Sequence, residues 1–99
     1  MTYRNVALTG LARDKPCMHC GIEDGTVVAA HANWLWYGKG KSIKAPDYYI
    51  AWLCNRCHTE LDQGKSMTRD EREWMWLRAH LKTFAYMWEN ELIGVRTCR

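Results

Sequence analysis

The chain has 99 residues, 47% of them hydrophobic, and a formal net charge of +3. This length predicts a single domain, residues 1–99, and the composition excludes an intrinsically disordered chain. The mild positive charge is compatible with a polyanionic partner without being diagnostic of one. No stretch approaches the roughly 18 apolar residues of a membrane span, and the N-terminal residues lack the apolar segment of a signal peptide. We therefore expect a cytoplasmic protein without membrane contact.

The first half of the chain predicts short elements. Residues 6–8 form an apolar patch that fits one turn of helix or the edge of a sheet. The β-branched start of segment 26–32 predicts a strand. Residues 48–53 fit a second strand or a short helical turn, because six residues are too few to show a period. A helix then begins near residues 58–62 and ends or bends at Gly64.

The last segment predicts the longest element, a helix from about 69 to 92. Thr68 is followed three residues later by Glu71, which is the pattern of a capping box, and Gly94 lies near the expected end. Large apolar residues then recur at spacings of three and four, so this stripe is expected to face a core or a partner. The stripe consists of Trp74, Leu77, Leu81, Phe84 and Trp88.

Two cysteine pairs share the same spacing, Cys17-x-x-Cys20 and Cys54-x-x-Cys57. A gap of two residues lets both thiolates of a pair face one tetrahedral ion, and two pairs complete a four-sulfur site. Such a zinc ion is structural, since four thiolates leave no open position for water. Buried free thiols or a redox pair are the alternatives. Cys98 is assigned no role.

Three side chains outside the cysteine pairs are further candidate metal ligands. His31 ends the predicted strand, His58 follows the second pair directly, and Asp62 lies four residues later, on the same face of a helix. Imidazole nitrogen and carboxylate oxygen together suit magnesium, manganese or zinc. Taken singly, each fits an ordinary surface side chain. His19, inside the first pair, is either a substitute zinc ligand or a surface residue.

These segments resemble the HNH (ββα-metal) endonuclease family, in which a two-stranded ribbon and one helix clasp a catalytic divalent ion. The resemblance rests on the strand ending in Ala30-His31 and on Leu53-Cys54-Asn55-Arg56-Cys57-His58, with a CxxC knuckle before each. Similarity to small prophage nucleases of the YbcO-like group extends to residues 40–47. The resemblance covers about residues 13–64, and more weakly the C-terminal helix. It implies an α+β fold: a small ββα-metal core with a four-cysteine zinc knuckle and a long C-terminal amphipathic helix.

The resemblance also implies roles for single residues. His31 matches the general base of the family and His58 its final metal ligand. Asp47 is the nearest polar residue to the family's middle position. Ala30 stands where many members carry a metal-binding acid or histidine, so His31 itself or Asp62 would have to supply that ligand. The candidate ligands of a catalytic magnesium or manganese ion are thus His58, Asp62 and Asp47.

Basic and aromatic side chains suggest how DNA would bind. The candidate phosphate contacts are Lys39, Lys41 and Lys44 of a Gly-rich loop, and Arg56 between the second pair of cysteines. The alternative for the lysines is a solvated loop. Trp34, Trp36 and Tyr37 either stack on unpaired bases or belong to the core.

The function that these features favour is a metal-dependent endonuclease that hydrolyses phosphodiester bonds in DNA, of phage or prophage type. One alternative is a zinc-knuckle module that binds nucleic acid without cutting it. The other is an interaction adaptor whose C-terminal helix docks on a protein partner or makes a homodimer.

Overall fold

The structure, a computed structural model, describes residues 2–96 and confirms the α+β class; Cys98 lies outside the described residues. Its elements, in chain order, are α1 (Val6–Gly10), β1 (Val28–His31), a 3-10 turn (Leu35–Tyr37), β2 (Ile50–Leu53), α2 (Asn55–Gln63) and α3 (Arg69–Glu89). Two open alternatives are thereby resolved, since the N-terminal patch is helical and the segment before the second cysteine pair is a strand. No helix within the described part of the chain is long and apolar enough to cross a membrane.

The two strands form an antiparallel ribbon in which His31 lies opposite Ile50 and Val28 opposite Leu53. Every residue of β2 is buried. Helix α2 follows β2 directly, because Cys54 caps its first turn by accepting a hydrogen bond from the Cys57 amide. Because Val28 pairs with Leu53, the start of α2 lies beside the start of β1, where the Asn55 amide donates to the Thr26 hydroxyl. From there α2 carries His58 and Asp62 to the cavity that His31 also lines.

Helix α3 begins as predicted. The Thr68 hydroxyl accepts from the Glu71 amide at 3.2 Å, and the Glu71 carboxylate accepts from the Thr68 amide at 2.7 Å, which completes the capping box. The helix ends at Glu89, with Asn90 as its cap, rather than near residue 92.

The face of α3 that packs on the sheet differs from the predicted one. Leu81 is 60% exposed and Trp88 50% exposed, whereas Leu77 and Phe84 are partly buried against the core, so the predicted stripe lies at the margin of the core contact. The buried face consists of Met75, Trp76, Ala79, Thr83 and Met87. The sequence left open whether the stripe faces a core or a partner, and its pattern of large apolar residues did not mark Ala79 and Thr83. These two residues are small enough to let the helix approach β2 closely. Docking of a partner or second copy on the exposed stripe stays a prediction.

Side chains of α3 also bond to the outer edge of β2. The Trp52 amide donates to the Thr83 hydroxyl at 2.9 Å, and His80 Nδ1 donates to the Ile50 carbonyl at 2.7 Å. On the same strand, the Trp52 carbonyl accepts from the Met18 amide at 2.8 Å. These bonds satisfy backbone groups that β1 cannot reach, and they fix α3 against the ribbon.

Candidate functional site

The four cysteines of the two pairs converge. The Sγ atoms of Cys17, Cys20, Cys54 and Cys57 all lie within 4.8 Å of one another, and the distance between the sulfurs of Cys20 and Cys54 is 3.7 Å. Zinc–sulfur bonds of about 2.3 Å in a tetrahedron place neighbouring sulfurs about 3.8 Å apart. The cluster therefore has the donor set and the spacing to hold a metal ion such as zinc.

Backbone amides point at the sulfurs, as they do around thiolates. The Cys20 amide donates to Cys17 Sγ, and the Cys57 amide donates to Cys54 Sγ, each at 3.5 Å. Burial alone would raise the pKa of Cys17, but hydrogen bonds from the amides of Cys20, Cys54 and His19 lower it to about 7. Burial raises the pKa values of Cys54 and Cys57. A bound cation would compensate this cost, because it favours the deprotonated sulfurs.

Arg56 lies beside this cluster and does not share a cavity with His31 or His58. Its interactions with the side chain of Cys20 and with the neighbouring cysteines raise its pKa. Together with Cys20 and Cys57 it lines a surface cavity that contains neither His31 nor His58. The structure thus places this predicted phosphate contact next to the four-cysteine cluster.

A second cavity, of about 270 Å³, gathers most of the other predicted site residues, and we call it the histidine cleft. Its polar walls are formed by His31, Asn33, Lys39, Lys44, His58 and Asp62. Lys41 and Asp47 do not line it. Asn33 was missed by the sequence analysis, and the available signal was its place two residues beyond His31, on the continuation of β1.

The ring of His31 is held by a buried carboxylate. His31 Nε2 lies 2.8 Å from Asp47 Oδ1, and because an ionised carboxylate only accepts, Nε2 carries the proton. Asp47 also accepts from the Asn5 amide at 2.7 Å and from the Arg4 guanidinium at 3.3 Å. Burial would raise the pKa of Asp47, but the hydrogen bonds from His31 and Asn5 and the charge of Arg4 hold it below its ordinary value. This tautomer leaves Nδ1 of His31 as the basic nitrogen.

These contacts favour a role for Asp47 other than metal binding. The sequence analysis proposed Asp47 as a candidate ligand of a catalytic ion. In the structure, both of its oxygens accept hydrogen bonds from protein donors, so ligation would require these bonds to break. Its geometry is that of a residue that orients His31.

His58 and Asp62 form a pair on one face of α2, with Nε2 and Oδ2 3.2 Å apart. Adjacent ligands of an octahedral ion with bonds of about 2.1 Å lie about 3.0 Å apart, so the pair can occupy two neighbouring positions on a hard divalent cation. Over residues 2–96, the four cysteines are the one group of three or more donor side chains close enough to share an ion. An ion held by the His58–Asp62 pair would therefore take its further ligands from water and substrate.

The predicted aromatic cluster divides into two parts. Trp34 is 7% exposed and packs against Trp76, with ring centroids 5.9 Å apart, so it belongs to the core. Tyr37 is half-buried and also contacts Trp76. Trp36, by contrast, is 60% exposed. One of the three is thus free to contact a ligand.

Comparison with known proteins identifies one similar fold. The chain superimposes on the solved structure of a candidate bacteriophage protein from Escherichia coli strain K-12, substrain MG1655, with a TM-score of 0.61 and 21% sequence identity. The match covers 84% of this chain and 98% of the other. No protein-family model and no curated protein matches the chain. At this identity the similarity establishes the fold alone.

Proposed function

We propose that this protein is a metal-dependent endonuclease of the HNH type that hydrolyses phosphodiester bonds in DNA, with a role in phage or prophage biology. The observation that carries the proposal is the histidine cleft, where His31, oriented by Asp47, shares one cavity with the His58–Asp62 pair. The chain order of two antiparallel strands and a helix supports it, as does the similarity of fold to a candidate phage protein.

His31 acts as the general base in this proposal. Its Nδ1 accepts a proton from a water molecule, and the oxygen of that water bonds to the phosphorus while the P–O bond to the leaving sugar oxygen breaks. That oxygen takes up a proton from solvent. Histidine suits this role because its ordinary pKa lies near neutrality. The hydrogen bond between Nε2 and Asp47 keeps the ring in one orientation and one tautomer. Asp47 thereby also stabilises the imidazolium that forms.

The remaining polar residues of the cleft bind the phosphate. His58 and Asp62 would hold magnesium or manganese, which supplies positive charge to the phosphate and the leaving oxygen. Lys39 and Lys44, in the segment between β1 and β2, provide positive charge for neighbouring phosphates. None of these contacts selects a base, so they predict affinity that depends on salt and not on sequence.

The four-cysteine cluster has a separate, structural part in the proposal. A zinc ion bound to Cys17, Cys20, Cys54 and Cys57 connects the segment before β1 to the start of α2. Since α2 carries His58 and Asp62, the zinc fixes the position of the catalytic pair relative to the ribbon.

The direct test is cleavage of supercoiled plasmid and of single-stranded DNA with EDTA, magnesium or manganese. Wild type should nick DNA only with added metal. His31→Ala and His58→Ala should each lower the rate by about 10²–10⁴, the usual contribution of a general acid–base group and a reasonable figure for a lost metal ligand. His19→Ala is the matched control, because this exposed histidine lies outside the cleft. Circular dichroism and zinc content should match across all four proteins.

Two results would refute the proposed nuclease activity. One is no cleavage by folded wild type in any metal, and the other is cleavage that survives both His31→Ala and His58→Ala. DNA shifted in a gel but not cut would instead support the non-catalytic binding module. One observation favours that second candidate, namely that Ala30 leaves the divalent site with two protein ligands, His58 and Asp62.

A further inference from the structure

Trp36 is exposed and yet fixed in place. Its Nε1 donates to Glu73 Oε2 at 2.8 Å, and the hydroxyl of Tyr37 donates to the same oxygen at 3.2 Å. The guanidinium of Arg69 lies 5.6 Å from the centroid of the indole ring. A tryptophan that is 60% exposed normally has rotational freedom, whereas this one is anchored at its nitrogen and lies beside a cation.

The backbone that carries Trp36 is also constrained. Gly38 ends the 3-10 turn with a φ of 86°, and its amide donates to the Leu35 carbonyl at 2.9 Å. A Cβ at position 38 would come within 3.0 Å of Cδ of Pro46, so only glycine fits this conformation without displacing the loop. The turn therefore presents the indole in one orientation.

A basic path leads from Trp36 to the histidine cleft. Arg69, the neighbour of the indole, lines a small cavity of about 170 Å³ together with Arg72. Asn33 and Asp62 belong to the walls of both this cavity and the histidine cleft. The two cavities are therefore adjacent, and the arginines lie between the exposed indole and the candidate catalytic residues.

A fixed aromatic face beside positive charge is the arrangement that binds unpaired nucleotides. Bases of a single strand stack on aromatic side chains, while basic groups contact the backbone. Bases inside a duplex are already stacked and do not offer a free face. Resting on the proposed function, we propose that Trp36 is the stacking site for an unpaired base, and that the substrate is DNA with unpaired bases next to the cleaved bond.

The test compares binding of a short single-stranded oligonucleotide with binding of its duplex, by fluorescence anisotropy in buffer without added divalent metal. Stacking contributes about 1–3 kcal/mol per base, which is about 5-fold to about 150-fold in affinity, so Trp36→Ala should weaken single-strand binding by a factor in that range. Duplex binding should change less than about two-fold. Trp36→Phe keeps an aromatic face and should retain most of the affinity. Trp88→Ala, which removes another exposed tryptophan, is the matched control and should bind as wild type does.

Equal losses on both substrates, no loss in Trp36→Ala, or the same loss in Trp88→Ala would overturn the stacking site, as would wild type that binds no single strand. Cleavage assays on the same preparations separate this inference from the nuclease. Binding that depends on Trp36 without cleavage by wild type refutes the nuclease alone. Metal-dependent cleavage with unchanged binding by Trp36→Ala refutes the stacking site alone.

Discussion

Asp47 couples the histidine cleft to the N-terminal segment, because its carboxylate bonds to His31 as well as to Arg4 and Asn5. It is 5% exposed, so its charge is stable only while these donors surround it. The pKa of Asp47 is lower in the folded chain than its ordinary value of 3.8. A carboxyl with a depressed folded pKa contributes stability above that ordinary value, and this contribution disappears as the pH falls through the folded pKa.

Asp47→Asn should therefore lower the free energy of unfolding at neutral pH, and the difference from wild type should shrink as the pH falls below about 4. Urea unfolding followed by circular dichroism between about pH 3 and about pH 8 measures this difference. Asp62→Asn is the control and should change stability little, since exposed ion pairs contribute little. A gap between Asp47→Asn and wild type that is constant over the range contradicts the prediction.

At the residue scale, spacing predicted that His58 and Asp62 lie on one face of a helix, and the structure confirms this. The grouping of His31 with them came from the family resemblance, and the roles of all three stay predictions. His31, His58 and Asp62 come together because a strand end and the first turns of the following helix are local features of a ββα unit. The partnership of Asp47 with Arg4 and Asn5 could not be predicted, because it joins residues more than forty positions apart along the chain. No periodicity or motif marks such a contact.

Among the elements, α3 shows the same limit. Its start was predictable, since the capping box is a local pattern around Thr68 and Glu71. Its buried face was not predictable, because Ala79 and Thr83 lie there owing to their fit against β2 and to the bond between Thr83 and the Trp52 amide. The spacing of hydrophobic residues shows which side chains are suited to burial. Which of them are buried depends on how α3 packs against the ribbon.

Two single substitutions on α3 test this assignment of faces. Met87→Ala should lower the free energy of unfolding by about 2–5 kcal/mol, because it removes a fully buried side chain. Leu81→Ala should change it by less than about 0.5 kcal/mol if the chain is monomeric. Chemical denaturation at equilibrium measures both.

If Leu81→Ala lowers the free energy of unfolding more than Met87→Ala does, the stripe and not the Met87 face is the core face of α3. Sedimentation equilibrium on the same samples tests the homodimer, which is one of the possibilities for the exposed stripe. If the exposed stripe joins two copies of the chain, Leu81→Ala should lower the measured mass, whereas Met87→Ala should not do so while folded.

In the whole molecule, the cysteine cluster is a long-range connection that involves neither the pairing of the strands nor α3. It joins residues 17–20 to residues 54–57 across a segment of 33 residues. The hydrophobic core of a chain of this size contributes little stability. A metal ion in such a position adds directly to the free energy of folding.

Purified protein should thus contain about one zinc ion per chain, and chelation should lower its melting temperature or unfold it. Cys54→Ser should lose the metal and lower the melting temperature, because it removes one of the four sulfur ligands, whereas the serine hydroxyl can still cap α2. Cys98→Ser should retain the metal and the wild-type melting temperature and is the matched control. Atomic emission for zinc and thermal melts by circular dichroism provide the measurements. A metal-free chain with an unchanged melting temperature would contradict a structural role.

The bonds along the outer edge of β2 have a consequence for how copies of this chain meet one another. A strand edge with free amides and carbonyls can recruit another strand and lead to aggregation. Here the Trp52 amide and carbonyl and the Ile50 carbonyl are already engaged by Thr83, Met18 and His80. Helix α3 and the first cysteine knuckle thus act in place of a third strand, and β-sheet growth along this edge would first require α3 to detach.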